Sequence, residues 1–73
     1  MKTNIEVRFY FDLDVMLETG YSESQIKDII MKYSFNDFKF NEINTIELPN
    51  GEGISVHPYF NIYNDLILTV SYL

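Results

Sequence analysis

The sequence predicts a small α+β domain, a mainly antiparallel four-stranded sheet with one helix packed on one face, in the order β-α-β-β-β. Three features carry that expectation. Apolar and polar residues alternate near the amino terminus, a capping box opens a three-four apolar pattern after Ser22, and the rest of the chain breaks into short β-rich runs at two turn motifs. The chain of 73 residues, 1–73, reads as a single α+β domain, with no repeat, linker or low-complexity stretch.

From Ile5 onward the odd positions Val7, Phe9, Phe11, Leu13, Val15 and Leu17 are all apolar, while Glu6, Arg8, Tyr10, Asp12 and Asp14 hold the even ones. That is the period of a half-buried strand, expected through about Leu13. Beyond it two readings stand open: the alternation runs on to Leu17, or Asp14 caps a short helical turn over residues 15–19 ending at Gly20, because Leu13, Met16 and Leu17 also fit one helical face.

Ser22 followed by Gln25 has capping-box spacing, and Ile26, Ile29, Ile30 and Tyr33 then recur as on an amphipathic helix over residues 23–33. Lys27, Asp28 and Lys32 occupy its outer face. Next, Phe38 and Phe40 alternate with Lys39 and Asn41, and the phase slips at Glu42-Ile43-Asn44 before Ile46 and Leu48, as a bulge would cause. Pro49-Asn50-Gly51 is hairpin-turn chemistry.

Ile54, Val56, Phe60 and Ile62 continue a strand on even positions, with Pro58 marking an edge or bulge because it lacks a ladder donor. Asn64-Asp65 reads as the next turn, and residues 66–73, apolar on both faces, suit a central strand. One helix covers one sheet face. The other is expected to be open, with Tyr10, His57, Tyr59 and Tyr63 contributing exposed aromatic area.

A chain of this length buries only roughly 60% of its unfolded surface, yet 47% hydrophobic and 16% aromatic content is too apolar for disorder. The absence of cysteine removes disulfides, thiolate metal sites and cysteine nucleophiles, and fits a cytoplasmic protein. Neither a signal-type apolar run nor a membrane-span-length stretch is found in the sequence. With a net charge of −6, direct binding to nucleic acid or anionic lipid is disfavoured, and a basic protein partner is expected instead. The lack of alanine, the lone Arg8 and the abundance of Asn, Ile, Lys, Tyr and Phe are what an AT-rich gene encodes, which points to a low-GC bacterium or its phages.

Phe9-Tyr10-Phe11-Asp12-Leu13-Asp14-Val15 resembles the first motif of the haloacid dehalogenase family, an apolar strand followed by Asp-x-Asp and Val or Thr. The resemblance implies that Asp12 would be a phosphoryl-accepting nucleophile beside magnesium. It spans seven residues, and a chain of 73 does not house the family's long Rossmann-like domain, downstream lysine and acidic metal pair. Asp12, Asp14 and Glu18 lack the loop of a calcium hand. His57 has no nucleophile beside it in sequence, and Gly51-Glu52-Gly53 is followed by no helix start with a lysine and hydroxyl residue. No enzyme activity, metal or cofactor is expected.

Charge distribution is more informative. Asp12, Asp14, Glu18 and Glu23 lie between Arg8 and Lys27 with no base among them, and Glu42, Glu47, Glu52 and Asp65 follow Lys39 in the same way. If the two stretches converge, they present carboxylates to a basic cleft and imitate a nucleic-acid backbone; otherwise they keep the chain soluble. The expected function is therefore a non-enzymatic inhibitor that blocks a nucleic-acid-handling enzyme. In profile, though not in motif, the chain is similar to small acidic phage anti-CRISPR and other anti-defence proteins. Tyr10, Asp12, Asp14, Glu18, Glu52, Tyr59 and Tyr63 are the expected partner-binding residues. A self-associating homodimer module is the alternative.

Overall fold

Alternation, capping and turn chemistry produce a four-stranded sheet with its helices on one face. A computed structural model describes residues 6–33 and 35–73, so Ile5 and Ser34 lie outside the described residues. In chain order the elements are strand β1 (Val7–Phe11), helices α1 (Asp14–Thr19) and α2 (Glu23–Met31), a 3-10 turn (Phe35–Asp37), and strands β2 (Asn44–Glu47), β3 (Gly53–Phe60) and β4 (Leu66–Tyr72). The sheet order is β1-β4-β3-β2. β4 pairs antiparallel with β3, and β3 with β2, while β1 runs parallel to β4. No helix among the described residues is long and apolar enough to cross a membrane.

β4 is central because it is the strand whose both faces are apolar: Leu66, Leu68 and Val70 face the helices, and Ile67 on the other side is also buried. Val15 of α1 and Ile26 and Ile30 of α2 close over Ile46, Leu48, Ile54, Val56, Leu66, Leu68 and Val70 to make one core. α2 starts where the sequence places it. The Ser22 hydroxyl accepts from the Gln25 amide at 3.1 Å, and the Gln25 side chain accepts from the Ser22 amide at 2.8 Å, so two otherwise orphaned donors are satisfied.

Five local expectations need correction. Two helices, rather than one, cover the sheet. Asp14 is the first residue of α1 instead of its cap, since Leu13 takes the cap position without a side-chain bond. α2 stops at Met31, so Tyr33 lies beyond it. Phe38 and Phe40 are not strand residues displaced by a bulge. They sit in a loop in which Asn41 takes a positive φ of 64° and the Asn44 side chain binds backbone on several sides. Asn44 Oδ1 accepts from the Lys39 amide at 2.9 Å, and Nδ2 donates to the carbonyls of Lys39, Glu42 and Val56 at 3.0, 3.2 and 3.3 Å. Finally, β3 ends at Phe60, leaving Ile62 and Tyr63 in a turn.

Pro58 lies inside a strand that is paired on both sides, yet no ladder bond is lost. β2 reaches only as far as Val56, and beyond it the Pro58 carbonyl faces the loop and accepts from the Asn41 amide at 2.8 Å. The missing N–H therefore falls where no β2 carbonyl waits.

Because Asn44 binds three backbone groups of this loop and the Val56 carbonyl of β3, Asn44→Ala should lower stability by about 1–3 kcal/mol. Ser22→Ala, which removes one cap bond, should lower it by about 1 kcal/mol. Urea unfolding monitored by tyrosine fluorescence and circular dichroism checks both; a loss below about 0.5 kcal/mol in Asn44→Ala would show that the loop does not depend on Asn44.

Candidate interaction surface

The candidate surface is built at the end of the sheet where β1 and β4 finish and the β2–β3 turn begins. α1 is short because Gly20, with φ 78°, ends it in the left-handed region, where a residue without Cβ is unstrained. Thr19 is buried there. Its hydroxyl donates to the Val15 carbonyl at 2.7 Å and accepts from the Tyr21 amide at 3.2 Å. The Thr19 carbonyl accepts from Asn50 Nδ2 at 2.9 Å, while Asn50 Oδ1 accepts from the Glu52 amide at 3.1 Å. The turn is closed by bonds from the Gly51 amide to the Leu48 carbonyl and from the Leu48 amide to the Glu52 carbonyl. Asn50 thus fastens the hairpin turn to the end of α1.

This attachment brings the two acidic stretches together. Glu52 Oε1 accepts from the Tyr72 hydroxyl at 2.7 Å, and Asp12 Oδ2 accepts from the Ser71 hydroxyl at 2.7 Å. The Tyr72 phenol is raised above its ordinary value, first by the hydrogen bond to Glu52, then by burial, then by the charges of Glu52 and Glu18. Tyr72 therefore senses one carboxylate from each stretch. Asp14 opens α1, and Glu47 stands opposite Gly53 in the last β2–β3 pair, both at this end. Among the described residues no lysine or arginine forms an ion pair with Asp12, Asp14, Glu18, Glu47 or Glu52. Arg8 pairs with Glu6 and Asp65 instead, and Lys27 with Glu23.

The seven residues expected to bind a partner do not form one patch. Asp12, Asp14, Glu18 and Glu52 gather at the acidic end. Tyr10 lies on the helix-free sheet face, 53% exposed, in the row Tyr10–Thr69–His57. Tyr59 and Tyr63 belong to the opposite end, since Tyr59 pairs with Ile67 near the start of β4 and Tyr63 sits in the turn before it. A seven-residue strand separates the two ends by roughly 20 Å. Tyr63 is not on the sheet face at all, and Tyr59 is half-buried in contact with His57, ring centroids 5.5 Å apart. The helix-free face is also partly self-covered. Ile67, flanked in the register by Arg8 and Tyr59, is 3% exposed. The Tyr10 hydroxyl, then the Glu6 and Asp65 charges, raise the Arg8 guanidinium above its ordinary value.

The apolar part of the acidic end comes from residues that the sequence assigns to the core. α1 turns Val15 and Thr19 inward, so Leu13 and Leu17 point to water, 92% and 81% exposed, flanked by Asp14 and Glu18. The pattern of α1 carries no clue to this, because Leu13, Met16 and Leu17 also read as a buried face. Glu47 was legible only as one member of the second acidic stretch. No cavity opens among the described residues, and no group of three or more His, Cys, Asp or Glu is spaced to hold a metal ion there. No family model, curated protein or solved structure matches the chain. What this end offers chemically is unpaired negative charge around exposed leucines.

The raised Tyr72 pKa has a sign that titration can check. Neutral phenol is favoured in the folded state, so the stability it brings is present below the unfolded phenol value near 10 and lost as pH rises through the higher folded value. The phenolate absorbance difference between the wild type and Tyr72→Phe should show Tyr72 ionising above that value, and Glu52→Gln should bring it down. An unmoved Tyr72 in Glu52→Gln would place the cause elsewhere.

Proposed function

We propose that the chain is a non-enzymatic binding protein whose acidic end docks on a basic surface of a larger protein and blocks the ligand that the surface serves. The observation that carries this reading is that five carboxylates at one end of the sheet, Asp12, Asp14, Glu18, Glu47 and Glu52, have no basic partner among the described residues, with the exposed Leu13 and Leu17 beside Asp14 and Glu18. The two together suit a partner that is cationic at its rim and apolar at its centre.

The division of work follows from magnitudes. Unpaired carboxylates steer encounter and raise the association rate, an effect that salt screens beyond about 8 Å at physiological ionic strength. Leu13 and Leu17 supply the area that loses water on contact, each worth roughly 1.5–3 kcal/mol if fully covered. A basic surface of that kind is what an enzyme uses to hold nucleic acid, so the charge balance supports an inhibitor of a nucleic-acid-handling host enzyme in the cytoplasm, of the anti-defence kind that phages and other mobile elements carry.

The test compares the immobilised wild type with two variants, Asp12→Asn/Glu18→Gln/Glu52→Gln and Leu13→Ser/Leu17→Ser, in a lysate of a low-GC bacterium. The leucine variant should keep wild-type stability to within about 0.5 kcal/mol, because both leucines are exposed, and the carboxylate variant should lose at most about 1–3 kcal/mol, because Asp12 and Glu52 accept hydrogen bonds from Ser71 and Tyr72. A nucleic-acid-binding protein held by the wild type at low salt, released at high salt and absent from both variants is the expected result. Retention that ignores salt, or that survives in both variants, would sink the proposal.

A further inference from the structure

β1 is an outer strand of the sheet, and its ladder with β4 uses only half of its backbone polar groups. The Leu66 amide donates to the Glu6 carbonyl at 2.9 Å, and the Asp12 amide donates to the Val70 carbonyl at 3.0 Å. In a parallel pair those bonds belong to alternate residues, so positions 6, 8, 10 and 12 face β4. The N–H and C=O groups of Val7, Phe9 and Phe11 then point outward, and no strand among the described residues lies beyond them. The side chains of Phe9 and Phe11, stacked with centroids 6.1 Å apart, are only half-covered on the helix face. Edges of this sort are templates for another strand.

The opposite edge is less open. β2 is four residues long, ends on Glu47, and is bordered by the loop that Asn44 ties down.

We propose that β1 pairs antiparallel with β1 of a second copy about a two-fold axis at Tyr10, joining two four-stranded sheets into one of eight strands. Charge favours this register over those centred on Phe9 and Arg8. With Tyr10 opposite Tyr10 of the second copy, Arg8 stands opposite Asp12 of the second copy, and Asp12 opposite its Arg8, giving two opposite-charge pairs on the helix-free face. On the helix face Phe9 meets Phe11 of the second copy, and Phe11 meets its Phe9. Both are outward-facing residues, so these pairs exchange four backbone hydrogen bonds. Centring the axis on Phe9 sets Glu6 against Asp12, and centring it on Arg8 sets Arg8 against itself; each places like charges directly opposite one another. Arg8 can enter the exchange, because its side chain is half-exposed and its present partners, the exposed Glu6 and the partly covered Asp65, stand 3.4 and 3.6 Å away. The test of the pairing needs no basic partner at the acidic end, since it is read on the purified chain alone.

Sedimentation velocity of the full chain in 0.15 M salt, with concentration raised to about 1 mM, the weak limit of specific association, tests the pairing. The expected result is a shift from 8.7 kDa to twice that mass. Arg8→Asp and Asp12→Arg should each weaken the dimer about tenfold, and the double swap Arg8→Asp/Asp12→Arg should restore it to within about threefold of wild type. Tyr10→Arg, which sets like charges across the axis at a position already exposed, should abolish it. A wild type that stays monomeric throughout, a dimer that the single reversals leave unchanged, or a double swap that fails to rescue would each overturn the pairing.

Discussion

A side-chain bond from Asn50 Nδ2 to the Thr19 carbonyl at 2.9 Å fastens the β2–β3 turn to the end of α1, where strand topology brings the two acidic stretches. The last carbonyls of a helix have no partner of their own. One of them, left free where Gly20 turns the chain away, is taken by a turn residue 31 positions later, whose own orientation is fixed by the Glu52 amide. Glu18 and Glu52, far apart in the chain, thereby become neighbours of the same tyrosine. Gathering like charges is unfavourable, but in water two charges 4 Å apart interact by only about 1 kcal/mol, and less when separated by more than a Debye length. Beneath them Val15, Leu48, Ile54 and Val70 are buried, and each such side chain contributes roughly 1.5–3 kcal/mol. The core outweighs the repulsion, so the acidic end persists without counter-charges.

Where the sequence was legible, a local rule sufficed. The capping box fixes the start of α2 because its two bonds close within four residues. The alternation of β1 and β3 and the two-sided apolarity of β4 likewise follow from side-chain direction alone. Where it was not, a tertiary contact outvoted a local pattern. Six residues of α1 are too few for a period to choose between a face of Leu13, Met16 and Leu17 and a face of Val15 and Thr19. Docking against β4 and Asn50 makes that choice. The alternation of Phe38 and Phe40 imitates a strand, but Asn44 draws three backbone carbonyls and an amide around itself and leaves a loop. Ile62 extends the apolar phase of β3 on paper. Asn61 Oδ1 accepts from the amides of both Tyr63 and Asp65, and this ends the strand instead.

The acidic residues of the candidate surface were legible as two base-free stretches, whereas their convergence was not. It depends on β1 and β4 running parallel, so that Asp12 and Ser71 finish at the same end, and on the β2–β3 turn returning there. The aromatic half of the expected surface dissolves for the same reason. β3 runs against β4, which carries Tyr59 to the far end, and Tyr63 follows it into the turn. Leucines take the place of tyrosines beside the carboxylates. Leucine is under-represented among residues that dominate interface energies, so binding at this end leans more on charge than an aromatic surface would.

Asp12 stands where the two proposed associations meet. In the monomer its carboxylate accepts from Ser71 at the margin of the acidic end; in the proposed dimer the same carboxylate faces Arg8 of the second copy. A basic partner that engages Asp12 competes with that arginine, and mass action then couples the two equilibria. Binding of the partner to the monomer would draw the dimer apart, and dimerisation would lower the apparent affinity for the partner by the fraction of chain it sequesters. The coupling leaves out Glu18 and Glu52, which act on Tyr72, on the helix face of β4 and away from the β1 edge. Self-association would therefore moderate docking at the acidic end without replacing it.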